Sequence, residues 1–592
     1  MTKQFKRSVT AVLAAAMMLS ASGCNTGSTG TGETGTEAGG TTKKAEGTAA
    51  ETVAETVAPE ETEGYAYGLN ETFHSDEPVT YTMYFSDASW YPMVDTWKTE
   101  GVFEKIKEKT NVTLDITSYD SGDYTNKIAL DINGGSTAYI IPKVYDDSQF
   151  VDSGAVVPVS DYAKYMPNYS DFINKYNLQK DINTIVKNDG KYYRLPGLHE
   201  APYQDYTLII RDDIFKAAGY NVAELENDWT WDEFYDVLVG VKAYMVDEGM
   251  CKESDYIWSD LWCGGESGQG NGGYLCKLMG ASYGVPSGWA VDNALQYDEA
   301  KDEWYFASST DDYKAFVTCL NKFVEGGILD PETFTQDDAA GNNKFYNGQS
   351  VVQGVNKSQY TTWLSGLDTG IGAGNYETYI TVYPKGSNNY IAENARLECG
   401  VMISSKALKE LGEDEFIKMM RFVDWLWYSE EAYTLTKWGV EGETWQYAKD
   451  EASGTEIKQL LPGYICGGLG ISGAETDTDI RLQWGYACGN FFYGHASALR
   501  DDNLTPVFQD YSKRVGEYRD VRPLNPSVVM DSETQELFNI RKTSIVDTVN
   551  TYTLNFITGQ KDVEADWDKY LADLQAANVD DYVKMYNDAY RG

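Results

Sequence analysis

The stretch Tyr206-Thr-Leu-Ile-Ile-Arg-Asp-Asp-Ile-Phe215, followed by Asp228-Trp-Thr-Trp-Asp-Glu-Phe234, decides how the rest of the chain is organised. Tyr206 to Ile210 is a short β-branched and apolar run, which is typical of a buried strand, and charged residues then end it. Thr230 and Glu233 have the spacing of a capping box, which marks the start of a helix. Apolar residues follow at helical spacing: Phe234, Val237, Leu238 and Val241. The pattern predicts a strand that leaves one folded unit and a helix that opens the next.

Strands and helices also alternate before this stretch. Val79 to Phe85 and Val112 to Ile116 alternate as strands do, and Ala138 to Pro142 has the composition of a third strand. A short helix is predicted between the first two strands, with these residues on it: Trp97, Phe103 and Ile106. Strand, helix, strand in this rhythm predicts an α/β lobe with parallel pairing.

Candidate ligand contacts follow the three predicted strands, because ligands in open α/β sheets gather beyond the carboxyl ends of strands. The candidates are Asp87 with Trp90, Tyr119 with Asp120, and Lys143 with Tyr145. Asp87 and Asp120 have an alternative role, since Asp at a strand-to-helix turn commonly caps the helix. Trp90 has one too, because a tryptophan in a loop also packs against neighbouring side chains.

The order of strand, Asp212-Asp213, short helical piece and Trp229-Thr-Trp-Asp-Glu-Phe234 resembles a known crossing point. It is similar to the place where solute-binding proteins of bacterial ABC importers pass from the first lobe to the second. The family is the extracellular solute-binding family 1 that includes maltose-binding protein. The resemblance implies an α/β, two-lobed periplasmic-binding-protein-like fold of class II, with hinge crossovers between the lobes.

Three later motifs follow in the same family order. Pro384-Lys-Gly386, after a strand predicted at Tyr376 to Tyr383, resembles the second crossing, and Asp424-Trp-Leu-Trp-Tyr-Ser-Glu-Glu-Ala432 resembles the helix before the third. Lys437-Trp-Gly-Val-Glu-Gly-Glu-Thr-Trp445 is similar to a motif of the large binding lipoproteins of Gram-positive bacteria. The resemblance implies these segments: 1–23 signal peptide, 24–76 lipidated cysteine and acidic tether, 77–204 and 379–432 lobe 1, and 206–375 and 445–592 lobe 2.

The first residues have the pattern of a secretion signal. Basic residues precede the apolar run Val9 to Leu19, and small residues precede Cys24. This resembles a lipobox, which implies cleavage before Cys24 and lipid attachment to it; the alternative is an ordinary cleaved signal with an incidental cysteine. Between Asn25 and Asp76 the chain carries ten acidic residues against two lysines and has few large apolar residues, so we expect a disordered tether.

Charge and cysteine content exclude several classes of protein. The formal net charge of −43, with only 48 Lys and Arg residues, argues against nucleic-acid binding, which needs basic side chains to neutralise phosphates. Apart from Cys24, seven cysteines are scattered through the body, and no pair has the Cys-x-x-Cys spacing of a zinc site. We therefore predict reduced, mostly buried thiols, no metal and no cofactor.

The 45 tyrosines and 15 tryptophans point to a carbohydrate ligand, because aromatic faces stack on sugar rings while carboxylates and amides bind hydroxyls. A Gly-rich stretch from Asp255 to Trp289 is predicted to present its side chains at a cleft, with Trp262, Glu266 and Trp289 as candidates. Packing over the cleft is the alternative role for Trp262. Trp425 and Trp427, on an amphipathic helix, are assigned to the core.

The family resemblance implies the remaining candidates. In sugar binders, the loop after a Phe-x-x-Gly turn and a strand supplies an aromatic ring, which here is Tyr360 or Trp363; packing against neighbouring side chains is the alternative for Trp363. The positions of Glu398 and Glu441 within the family's motifs imply that they contact the ligand; an ion pair with a lysine is the alternative. Trp484 corresponds, by its order along the chain, to a late aromatic residue of the sugar binders. Trp445 is also a candidate ligand contact, and the alternative is that it anchors the hinge.

The function that these observations predict is an extracellular, lipid-anchored, monomeric receptor that captures an oligosaccharide and delivers it to a membrane permease. The alternatives are a secreted glycan hydrolase, with two carboxylates across a cleft, and a cell-surface adhesin. Three histidines and the lack of a Gly-x-Ser-x-Gly elbow disfavour a Ser-His hydrolase. Glu475-Thr-Asp-Thr-Asp479 begins like a calcium loop, but Ile480 stands where the turn glycine belongs, so an EF-hand is rejected.

Overall fold

A computed structural model describes residues 64–591 except for 152, 188, 262–272, 286–293, 358, 393–394, 450–453, 455 and 492. The described residues belong to one compact unit that runs from Val53 to Gly592. Within them, every helix is too short or too polar to cross a membrane.

The strands of the described part are short, and most belong to two sheets and a few hairpins. They are β1 (Tyr65–Ala66), β2 (His74–Ser75), β3 (Val79–Asp87), β4 (Val112–Asp120), β5 (Ile140–Val144), β6 (Leu195–Leu198), β7 (Tyr206–Arg211), β8 (Leu295–Asp298), β9 (Glu303–Phe306), β10 (Val352–Asn356), β11 (Thr378–Thr381), β12 (Leu397–Ile403), β13 (Trp445–Lys449), β14 (Glu456–Leu460), β15 (Tyr464–Ile465) and β16 (Thr478–Asp479).

Helices connect and cover these strands. They are α1 (Thr96–Thr99), α2 (Val102–Thr110), α3 (Tyr124–Gly134), α4 (Ser148–Val151), α5 (Pro167–Lys175), α6 (Gln179–Asn183), α7 (Asp212–Ala217), α8 (Val222–Leu225), α9 (Trp231–Asp247), α10 (Gly273–Ser282), α11 (Asp311–Glu325), α12 (Asp338–Tyr346), α13 (Tyr360–Leu367), α14 (Ser405–Leu411), α15 (Glu413–Tyr428), α16 (Glu430–Trp438), α17 (Ile480–Trp484), α18 (Ser497–Arg500), α19 (Pro506–Tyr518), α20 (Ser532–Ile557), α21 (Val563–Ala576) and α22 (Val579–Arg591).

The first sheet has five strands in the order β4-β3-β5-β12-β6. Strands β3, β4 and β5 are parallel, as the alternation of strands and helices predicts. Strand β12 runs antiparallel to both β5 and β6. The predicted single helix between β3 and β4 is two helices, α1 and α2, because Gly101 interrupts it. A side chain at Gly101 would meet the backbone carbonyl of Trp484 at 2.3 Å, so the close approach requires glycine.

The second sheet has three antiparallel strands in the order β10-β7-β11. Its central strand β7 is the strand predicted from Tyr206, and Leu208, Ile209 and Ile210 are buried in it. Helix α9 begins at the predicted capping box: Thr230 Oγ1 accepts from the Glu233 backbone, and the Glu233 carboxylate accepts from the Thr230 backbone. The local predictions at this stretch are therefore confirmed.

Buried apolar side chains form two large cores, which we call the first core and the second core. The first core gathers residues between Tyr65 and Leu198 and between Cys399 and Ala496. The second core gathers residues between Leu208 and Ile391 and between Leu504 and Tyr582. The chain therefore crosses between the cores three times, at residues 199–207, 392–398 and 497–503.

Two of these crossings differ from the predicted segment boundaries. Strand β11 was expected in lobe 1, but Thr378–Thr381 pairs with β7, so Ile380 and Tyr383 lie in the second core. The stretch from Trp445 was expected in lobe 2, but it packs Trp445 and Tyr493 into the first core. Short strand signals show that a strand exists but not which sheet it joins, because that choice depends on distant partners.

Cysteine side chains of the described part are free thiols, and all except Cys251 are buried. Trp425 and Trp427 lie in the first core, as assigned from the helical pattern. The acidic stretch at Glu475 ends in a helix cap, where Asp479 accepts from the backbone of Arg481 at 2.8 Å. This capping role accounts for Asp479 without a metal ion.

Candidate ligand-binding site

One edge of the first sheet collects side chains that the sequence places far apart. The carboxyl ends of β3, β4 and β5 meet there, because these strands are parallel. The antiparallel strand β12 starts at the same edge, opposite the end of β6. Asp87, Asp120, Lys143, His199 and Glu398 consequently lie along this edge.

Lys143 is the basic group of this edge. Its backbone is in the left-handed region, with φ of 60°, at the end of β5. Its Nζ lies 5.6 Å from the ring centre of Tyr145 and 5.5 Å from that of Tyr493. Burial opposes the charge, but Cys399, Tyr145 and Glu398 together raise the pKa of Lys143 well above its ordinary value. Lys143 is therefore a protonated donor at neutral pH.

Glu398 is the acidic side chain that lies closest in this edge to His199, and it stays ionised although it is partly buried. Its Oε2 lies 3.1 Å from Nε2 of His199. Burial by itself raises the pKa of the carboxyl, but the His199 hydrogen bond and the nearby Lys143 bring this pKa below its ordinary value. A carboxylate beside an ammonium group can bind neighbouring hydroxyls of a sugar as acceptor and donor.

Asp87 and Asp120 hold turns at the same edge. Asp87 Oδ1 accepts from the Met93 backbone at 3.1 Å, and Asp120 Oδ1 accepts from the Gly122 backbone at 2.9 Å. The alternative expected for both residues was a helix cap, and neither of them caps a helix: Asp95 and Asp123 occupy those positions. Trp90 is 47% exposed and contacts Tyr91 edge-on, with ring centres 5.7 Å apart, so much of its surface is accessible.

The first and third crossings meet beside this edge around the ring of Tyr203. The His199 ring lies 4.3 Å from it, the Arg500 guanidinium 4.5 Å and the Lys357 ammonium 5.1 Å. Lys357, which follows β10, also pairs with Asp205 at 2.9 Å. Residues of both cores and of two crossings are therefore in contact next to Glu398.

Two adjoining cavities lie between segments of the two cores. The larger, of about 980 Å³, is lined by Lys187 and Tyr193, which precede strand β6 of the first sheet, and by Phe538 and Tyr586 from the second-core helices. The smaller, of about 410 Å³, has Tyr145 in its lining. They share four lining residues: Asp146, Lys187, Val528 and Tyr586. Volumes of this size are typical of ligand sites, which span about 300–1,000 Å³.

Several residues implied by the family resemblance lie elsewhere. Tyr360 and Trp363 are packed in the second core, and Trp445 is packed in the first, where its Nε1 donates to the Gly439 carbonyl at 3.2 Å. Glu441 is exposed in a turn, and Trp484 is half-buried, edge-on to Tyr464 at 5.5 Å. These placements favour packing over ligand contact for the three buried rings.

Four predicted residues lie outside the described residues: Cys24, Trp262, Glu266 and Trp289. Their roles stay predictions. In the described part of the chain, no group of three His, Cys, Asp or Glu side chains is arranged to hold a metal ion.

Sequence reasoning missed His199, Tyr203, Lys357, Arg500 and Tyr586. Each takes its place through partners far away along the chain; His199 and Glu398, for example, are 199 residues apart. One signal was present for His199 and Tyr203, since both stand between the end of β6 and the start of β7, where a crossing was predicted.

Comparison with known proteins identifies the family to which this chain is similar. A family model described as bacterial extracellular solute-binding protein matches residues 101–414, more than half of the chain. The chain is 23% identical over 517 residues to the fructooligosaccharide ABC transporter substrate-binding protein FusA of Streptococcus pneumoniae serotype 4, covering 83% of this chain and 87% of that protein.

Solved structures match the fold over nearly their whole length. FusA of S. pneumoniae in complex with kestose is 19% identical, with a TM-score of 0.59, and the match covers 86% of this chain and 99% of that one. The alginate-binding protein AlgQ2 without calcium ion is 16% identical, also with a TM-score of 0.59, and the match covers 88% and 99%. The mixed α/β, periplasmic-binding-protein-like fold is thereby confirmed, as is the family resemblance: the chain belongs to the bacterial extracellular solute-binding proteins, which are binding proteins and not enzymes.

Proposed function

We propose that this protein captures an oligosaccharide between its two cores, outside the cell, and delivers it to the permease of an ABC importer. The observation that carries the proposal is the edge of the first sheet, where Lys143, His199 and Glu398 converge beside the crossings and the cavities. An ionised carboxylate, a protonated amine and nearby tyrosine rings are the groups that bind sugar hydroxyls and sugar faces.

The relatives support a carbohydrate ligand. One is named for fructooligosaccharide transport, its solved structure holds kestose, and another solved structure is an alginate-binding protein. The larger cavity, of about 980 Å³, stands at the upper end of the range for ligand sites, which suits an oligomer better than a single sugar. We infer a neutral or weakly charged oligosaccharide as the ligand class.

Capture by closure follows from the three crossings. Segments at residues 199–207, 392–398 and 497–503 join the cores, and a ligand that contacts both cores favours the closed arrangement in proportion to its differential affinity. We also propose that Cys24 carries the lipid and that the acidic segment before the folded part is the tether to the membrane. This would keep the receptor close to its permease.

A panel of neutral and acidic oligosaccharides, titrated into the purified protein by calorimetry, tests the proposal. We expect heat and a change in tryptophan fluorescence with at least one oligosaccharide. Tyr447→Ala serves as the control variant, because Tyr447 is half-exposed on the β13-β14 hairpin and lines neither cavity. It should bind with unchanged affinity.

Two results would contradict the proposal. Absence of binding across the panel would remove the carbohydrate claim. Release of shorter products from labelled glycans incubated with the protein would support the hydrolase alternative instead.

A further inference from the structure

His199 lies in the first crossing and contacts a side chain from each of the other two. Its Nε2 lies 3.1 Å from Oε2 of Glu398, in the second crossing, and its Nδ1 lies 3.4 Å from Nη1 of Arg500, in the third. The His199 side chain is 1% exposed, so it offers a ligand almost no surface. One buried imidazole therefore connects all three crossings.

These two contacts determine where the His199 proton lies. A guanidinium carries donors only, so Arg500 donates and Nδ1 of His199 accepts. Nδ1 can accept only when it carries no proton, which leaves the single proton of a neutral imidazole on Nε2. Glu398, whose pKa lies below its ordinary value because of His199 and Lys143, is the ionised acceptor for that Nε2–H. Donation therefore runs from Arg500 through His199 to Glu398.

The bond from His199 occupies one oxygen of Glu398 and fixes the direction of the carboxylate. The side chain of Glu398 is 30% exposed, so part of it stays accessible. Oε1 takes no part in the bond to His199, and a sugar hydroxyl that approaches it must donate, because an ionised carboxylate only accepts. A group that is oriented before the ligand arrives loses less conformational freedom on binding, which raises affinity.

Arg500, the donor that faces His199, is itself held in place. Its Nε and Nη2 donate to the Asp501 carboxylate at 2.8 and 2.6 Å. Lys357, which follows β10 of the second sheet, lies 3.6 Å from the same carboxylate and pairs with Asp205 of the first crossing at 2.9 Å. The hydrogen-bond chain that ends on the sheet edge thus begins at side chains that join the crossings to the second sheet.

We propose that His199 is a positioning residue for ligand capture. As a neutral imidazole with its proton on Nε2, it holds the Glu398 carboxylate in the orientation that accepts a sugar hydroxyl, and it ties that carboxylate to the crossings through Arg500. His199 itself does not touch the ligand. The inference rests on the proposed function, because Glu398 belongs to the same site.

The position of the proton can be measured without any ligand. The chain has three histidines, so nitrogen NMR spectra of protein labelled with 15N in histidine contain signals from three imidazoles. The signals of His199 are identified by their loss in His199→Gln. At pH 7 we expect a protonated Nε2 and an unprotonated Nδ1. A proton on Nδ1 would overturn the inference.

Calorimetry with the tightest-binding oligosaccharide of the panel measures the effect on capture. His199→Leu removes both hydrogen bonds and should weaken binding about tenfold, because Glu398 loses the donor that orients it. His199→Gln keeps a donor and an acceptor in a neutral side chain, and it should bind within about threefold of the wild type.

The matched control is His495→Asn, which removes another buried imidazole of the first core. His495 is 6% exposed, and its Nε2 lies 3.3 Å from the Tyr428 carbonyl rather than beside Glu398. Asparagine is suited to this position, where φ is 104°, because it tolerates positive φ better than most residues. The control should bind with unchanged affinity, whatever its effect on thermal stability.

A double-mutant cycle separates positioning from general destabilisation. If His199 acts through Glu398, His199→Leu should change affinity by no more than about twofold in protein that already carries Glu398→Gln. Unchanged affinity of His199→Leu, or an equal loss in the two backgrounds, would overturn the inference and leave the proposed function intact. A panel without any binder would instead remove the proposed function, and this inference with it.

Discussion

Glu226→Ala perturbs the network that fixes β11 in the second core, and its effect can be worked out from the structure. Glu226 is 1% exposed at the end of α8. Its carboxylate accepts from Tyr379 Oη at 2.8 Å and from the Val382 backbone at 2.7 Å, and it pairs with Arg514 of α19. One buried carboxylate therefore joins α8, the strand β11 and α19.

Truncation of Glu226 leaves these donors without their acceptor in a buried place. Removal of one partner from a buried ion pair typically costs about 3–5 kcal/mol of folding free energy. The matched control is Asp510→Ala, which removes the other carboxylate of the same arginine; that carboxylate is 62% exposed and pairs with Arg514 at 2.7 Å. An exposed pair contributes only about 0–1 kcal/mol, so the control should be nearly neutral.

Urea denaturation, followed by circular dichroism and by tryptophan fluorescence, measures the two losses. We expect the free energy of unfolding to fall at least three times as much for Glu226→Ala as for Asp510→Ala. Equal losses, or a loss below about 1 kcal/mol for Glu226→Ala, would refute the assignment of β11 to a buried network in the second core.

Three further predictions concern a buried lysine, the sheet edge and a helix cap. Burial lowers the pKa of Lys437 from 10.5 to about 8, so the unfolded chain binds this proton more tightly than the folded protein does. The stability of the wild type relative to Lys437→Met should therefore rise with pH between these two values. Urea denaturation of both proteins at pH 7, 9 and 10 measures the difference in stability, and a difference that stays constant with pH contradicts the prediction. Lys143→Met should weaken binding of the best glycan about tenfold to a hundredfold in calorimetry, because a charged hydrogen bond is lost, and unchanged affinity would exclude Lys143 from the site. Thr230→Ala should cost about 1 kcal/mol by loss of the cap of α9, and thermal unfolding without any shift would count against the capping box.

Local features of this fold could be predicted from the sequence because short-range physics determines them. The capping box at Thr230 and the buried stripe of α9 depend on residues within one or two helical turns. Strand β7 is one residue longer than predicted, because Arg211 continues the pairing with β11.

The crossings were harder to place than the elements. Thr378–Thr381 alternates like any half-buried strand, and only its pairing with β7 shows that it belongs with the second core. Trp445 stands in a motif that suggested the start of a lobe, yet its ring fills the first core. Both assignments depend on contacts between residues far apart along the chain, which periodicity does not encode.

The residues of the candidate site also fall into those that the sequence could predict and those that it could not. Asp87, Asp120 and Lys143 could be named because the carboxyl ends of parallel strands mark an edge in advance. His199, Arg500 and Tyr586 could not, since they come from the first crossing, the third crossing and the second core.

A crystal structure of the protein with its tightest-binding oligosaccharide tests the central claim most directly. We expect one sugar unit within hydrogen-bond distance of Glu398 and Lys143 at the edge of the first sheet. The rest of the oligosaccharide should continue past Tyr145 between the two cores. A ligand bound on the outer surface of either core, away from this edge and from both cavities, would contradict the account.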